Sequence, residues 1–163
     1  MKKLLIVLTF LILYILQTTA DEMIGIFGTA PNLMLVFTII YSVNSSVLSS
    51  VVAGSIAGLL IDVSMNGIVG VNALLMMYTA VFTSYLSSKI LYERKIIICI
   101  TVFGLGFIYE VLSVVISNVF IHNLPLFYIT CRYILLSCVY NTIVSIPMIY
   151  LLNKLKFEYI RGI

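Results

Sequence analysis

A chain of 163 residues that is 63% hydrophobic and only 9% charged lies far from the roughly 45–50% apolar and about 25% charged make-up of a soluble domain, which excludes a water-soluble enzyme and places the protein in a bilayer. Its formal charge of +3 contains no basic cluster dense enough to hold nucleic acid, and reads as topology plus attraction to anionic lipid. Apolar runs recur with polar breaks of a few residues, so residues 1–163 form a single transmembrane domain with no room for a separate catalytic unit.

A spanning helix takes about 20 mostly apolar residues. Six segments approach this, at residues 4–20, 32–43, 46–62, 67–86, 96–120 and 132–152. The first has two readings. "MKK", then "LLIVLTFLILYIL", then "QTTADE" has the basic start, apolar centre and small-residue end of a secretory signal, with Ala20 as the cleavage point; otherwise it is a retained span. Cleavage would leave five spans, and in both readings Asp21 emerges on the far side of the membrane. The second segment follows Pro31 and has the shortest apolar core.

In the third segment Ser46, Ser50, Gly54, Gly58 and Asp62 recur every four residues. Each such step turns about 40° past a full turn, so a stripe of small side chains winds around the helix and ends in a carboxylate. Gly54 and Gly58 form a GxxxG pair, which lets two backbones approach closely in lipid, either within this chain or against another protein. Asp62 stands near the far end of its helix, ahead of an Asn66-Gly67 turn. It is either a hydrated helix-end carboxylate or an anchor that accepts hydrogen bonds from the turn amides, from Asn72 or from Arg132. The fourth segment carries Asn72, Thr79 and Thr83, groups suited to hydrogen bonds between helices.

Glu110 lies well inside the fifth segment, where a charge costs about 2.5–3.5 kcal/mol on insertion scales. Gly106, Glu110, Ser113 and Ser117 share a helix face that turns away from lipid. The sixth segment offers a matching stripe in Ser137, Asn141 and Ser145, with Arg132 near its far-side end and Pro147 as a kink within it. Glu110 is expected to be either neutral or paired with Arg132 inside the bundle.

Short connections between helices predict antiparallel neighbours and an all-α, compact bundle. With six spans and the N-terminus inside, every Lys and Arg except Arg132 is cytoplasmic, which obeys the positive-inside rule and puts both termini in the cytoplasm. Cys99, Cys131 and Cys138 show no metal-ligand spacing, and His122 has no clustered carboxylate or thiol. No catalytic or cofactor motif is present, so an enzyme is not expected and no cofactor is implied.

"PNLMLVFTIIYSV" at residues 31–43 and "GSIAGLLIDVSMNGIVGVNALLMMYTA" at residues 54–80 resemble the rod shape-determining membrane protein MreD family. The matching positions are Pro31, Asn32 and Leu33, then Gly58, Leu59, Leu60 and Asp62, then Gly67, Gly70, Asn72, Ala73 and Leu74. Asn32 stands where the family often has an acidic residue, and the second half of the chain carries no such signature. The resemblance implies a non-enzymatic inner-membrane component of the bacterial cell-elongation machinery. Such a component binds MreC, and through it links MreB filaments to the peptidoglycan polymerase RodA and its partner transpeptidase. It also implies a fold similar to the substrate-binding S components of energy-coupling-factor vitamin transporters.

Two functions therefore stand against each other. For a scaffold, the small-residue stripe is a contact face, and Gly54→Leu or Gly58→Leu is expected to weaken a complex without unfolding the chain. For a vitamin-binding transporter subunit, Tyr128, His122 and Asn123 supply a modest set of far-side polar groups, but the first segment lacks the Ala-xxx-Ala contact usual for the energising module.

Overall fold

The computed structural model describes residues 2–23, 29–64, 69–89, 95–121 and 127–154. These form six helices: α1 (Lys2–Met23), α2 (Leu33–Val43), α3 (Val47–Ser64), α4 (Val71–Lys89), α5 (Lys95–Ile121) and α6 (Phe127–Lys154). One helix stands in each of the six apolar segments, and no strand occurs among the described residues. Val47–Ser64, Lys95–Ile116 within α5 and Cys131–Leu151 within α6 are long and apolar enough to cross a membrane, while Val7–Thr19 and Leu33–Val43 are shorter apolar stretches.

The short α2 is the centre of the molecule. It touches all five other helices, and Met34 through Val43 are buried without a break. A helix apolar on every side has no face to offer to water, and here each face meets another helix. At 1.5 Å per residue α2 is only about 16 Å long, so it does not cross a hydrocarbon core of about 30 Å by itself. Around it α3 and α4 form one antiparallel pair and α5 and α6 another, with α1 against α2 and α3.

Each surrounding helix leaves large apolar side chains exposed on its outer face. This holds most clearly in α3, where the buried positions are Ser50, Ala53, Gly54, Ala57, Gly58, Ile61 and Asp62, a stripe at helical spacing, whereas Leu48, Val52, Ile56, Leu59 and Val63 are exposed. In α1, Phe10, Leu13 and Gln17 face inward while Leu8, Leu11, Ile12, Ile15 and Leu16 face out. The small and polar inner face of α3 and the large apolar groups left outside on both helices suit a protein solvated by acyl chains, since lipid gives helices no hydrophobic reason to hide leucine. Phe10 meets Phe37 edge-on at 4.7 Å, and Phe37 stacks on Tyr41 at 6.3 Å, which joins α1 to α2.

Polar contacts lock the ends. Ser84 Oγ donates to the Ser45 carbonyl at 3.0 Å, tying the end of α4 to the α2–α3 connection, and at the opposite end Ser64 Oγ donates to Tyr14 Oη at 2.7 Å. The sequence places the fourth helix at 67–86, yet α4 begins at Val71 and runs to Lys89. Gly70 has φ +102°, a conformation that glycine adopts at no steric cost, so the chain turns there before the helix starts. α6 continues through Pro147 as one helix, and the carbonyl of Ile143 loses its usual donor there.

Candidate functional site

Helix starts leave amide N–H groups without partners, and burying them in a dry interior costs free energy unless something accepts them. Asp62 does this for α4. Its carboxylate, 3% exposed, accepts from the Gly70 amide at 2.8 Å, the Asn72 amide at 3.1 Å and the Ala73 amide at 3.1 Å. The residue belongs to α3 but caps its neighbour, and an anion there is further favoured by the positive end of the α4 dipole. Of the alternatives open for Asp62, the structure shows the anchor on turn amides. The Asn72 contribution is its backbone N–H, and the side chain of Arg132 is exposed at the start of α6.

The start of α2 is served by its own N-cap and by two other helices. Asn32 Oδ1 accepts from the Leu35 amide at 2.9 Å, as an N-cap residue does. Gln17 Oε1 of α1 accepts from the Leu33 amide at 2.7 Å, and Asn141 Oδ1 of α6 accepts from the Asn32 amide at 2.7 Å. Asn141 lies midway along α6, so α2 begins deep between the long helices.

Two further bonds bring in α5, one to the start of α4 and one to α6. Tyr109 Oη donates to Asn72 Oδ1 at 2.6 Å, and Ser137 Oγ donates to Glu110 Oε1 at 2.7 Å. All six helices thus contribute to one polar belt around the starts of α2 and α4. The partner the fold supplies to Glu110 is Ser137; the charge on Arg132 sits on an exposed side chain. Asn141 is fully buried, and its Nδ2 has no hydrogen-bond partner among the described residues. Gly106 lies beside it: a Cβ placed there would be 4.0 Å from Nδ2.

The small-residue stripe of α3 is filled by α4. A Cβ at Gly54 would lie 2.7 Å from the Met76 carbonyl oxygen and 2.9 Å from Ala80 Cβ, and one at Gly58 would lie 2.3 Å from Ala73 Cα. Ser50, on the same stripe, is buried and donates to the Ser46 carbonyl at 3.0 Å. This corrects the expectation that a leucine at either glycine would spare the fold: there is no space between the two backbones for any side chain. Gly67, Asn66, His122 and Asn123 lie outside the described residues, as do the side chains of Ser117 and Tyr128.

Sequence reasoning singled out Asp62, Asn72, Glu110 and Asn141 but missed Gln17, which opens the polar end of α1, and Tyr109, the neighbour of Glu110 in α5. Asn32 carried a usable signal, because an asparagine just after Pro31 and just before an apolar run is an N-terminus signature.

The arrangement can fix helix ends and hold a rigid bundle, and its polar groups are largely consumed in doing so. A family model described as rod shape-determining protein MreD matches residues 1–155. No curated protein and no solved structure matches the chain. The matched stretch takes in all six helices, including Asp62 with the amides it caps, Glu110 and Asn141, and the chain therefore belongs to the rod shape-determining MreD family.

Proposed function

We propose that this protein is a non-enzymatic scaffold of the bacterial cell-elongation complex, a single six-helix transmembrane domain in the cytoplasmic membrane with both termini inside. Its role is to bind the membrane segment of MreC, and with it to position MreB filaments relative to RodA and the partner transpeptidase. The observation that carries this reading is the family match over residues 1–155. The physical support is that the internal polar groups serve helix ends, which leaves lateral contact between apolar helix faces as the chemistry on offer.

Affinity capture of the full chain from membranes tests it. MreC is the expected co-purifying protein, and its absence under conditions that keep the bundle folded would overturn the scaffold. The vitamin-transporter reading draws on one observation, the buried Asn141 Nδ2 beside Gly106, which has no hydrogen-bond partner among the described residues. A rise in melting temperature on adding water-soluble vitamins would favour that reading over the scaffold.

A further inference from the structure

In the half of the molecule that holds the polar belt, α5 and α6 are joined through Glu110 and Ser137 and pack closely where Gly106 meets Asn141. Toward the start of α5 and the end of α6 they leave between them a groove of about 540 Å³. Ile96, Ile100 and Phe103 form one wall at helical spacing, and Thr142, Ile146 and Tyr150 form the other. Ile96 and Tyr150 are 70% and 60% exposed, so the groove opens sideways to whatever surrounds the bundle. Lys95 stands at its end, with Nζ 3.7 Å from the centre of the Tyr150 ring. That contact holds a cation across the mouth, between the two helices.

The shape of the walls selects the occupant. Helix docking in lipid favours small residues that let two backbones approach, and none of the described residues lining this groove is glycine or alanine. Large branched and aromatic walls around an open channel suit a thin, flexible chain instead. The charge of Lys95 at the end complements an anion at the depth where lipid phosphates lie. We propose that the groove between α5 and α6 holds one acyl chain of an anionic phospholipid, with the headgroup phosphate on Lys95. The proposal rests on the helices standing in a bilayer and is independent of any partner protein.

The test uses the full chain in phosphatidylcholine vesicles doped with chain-spin-labelled phosphatidylglycerol or phosphatidylcholine. Wild type is expected to immobilise phosphatidylglycerol with about a fivefold preference, the ratio that one basic residue near the surface supplies. Lys95→Gln should bring the preference close to one, with an unchanged melting temperature because the side chain is exposed. Ile146→Trp, which adds bulk on an exposed wall, should remove the immobilised component. Equal preference in wild type and Lys95→Gln would overturn the assignment. A photo-crosslinker at Ile100 gives a second readout: an adduct with the mass of one phospholipid supports the proposal, and an adduct with a second copy or another polypeptide overturns it.

Discussion

Asp62 concentrates more consequence than any other single side chain in this fold. It closes three amides at the start of α4 from a position on another helix, and each such group left buried and unpaired costs about 1–3 kcal/mol. Asp62→Ala is therefore expected to destabilise the purified protein by about 3–5 kcal/mol, read as a large drop in melting temperature in detergent. Asp62→Asn, which keeps one acceptor oxygen, should fall between the two. Glu110 behaves differently, because its recorded bond is one that a neutral amide can also accept. Glu110→Gln should melt within about 1 kcal/mol of wild type. A collapse of the fold in that variant would show that the charge itself is needed. Asn72 and Asn141 were legible as inward-facing polar residues from their spacing, whereas Gln17 and Tyr109 were not: which distant group a polar side chain meets depends on where its own helix is placed.

Among the described helices, α3 and α4 pack together most extensively, and two glycines of α3 let the backbones meet. A methyl group at Gly58 would enter the backbone of Ala73, so Gly58→Ala forces the helices apart. Overpacking of this kind costs about 1–3 kcal/mol, or more where backbone is the obstacle. Gly104 is the internal control. It is exposed on α5, and nothing lies within 4 Å of a Cβ built there, so Gly104→Ala should be neutral or stabilise α5 by up to about 1 kcal/mol through helix propensity. Thermal melting of the two alanine variants side by side checks both, and equal effects would remove the packing argument. The periodic stripe in α3 was visible in the sequence. That its counterpart is Ala73, Met76 and Ala80 of the next helix was not, because the same stripe fits a contact within the chain or with a partner.

For the molecule as a whole, enclosure of α2 sets the order of stability. Every face of that helix is covered and its first amides are accepted by Asn32, Gln17 and Asn141, so its exchange requires the surrounding helices to open. Hydrogen exchange in detergent is expected to be slowest across Met34–Val43. Faster exchange there than in α5 or α6 would contradict the central placement. The six helices themselves were legible from hydropathy, because the bilayer rewards long apolar runs wherever they lie in the chain. The start of α4 was missed by four residues, since Gly70 turns the chain at a point where only the Asp62 carboxylate makes the turn favourable. Membrane residence, helix number and the inward-facing stripes follow from composition and period alone, because those depend on solvent and local geometry. The tertiary structure decided that the shortest helix is the core, that Asp62 caps a neighbour, that Glu110 meets Ser137 and that α4 fills the glycine face. These are contacts between residues distant in sequence, and only packing determines which of the chemically suitable groups meet.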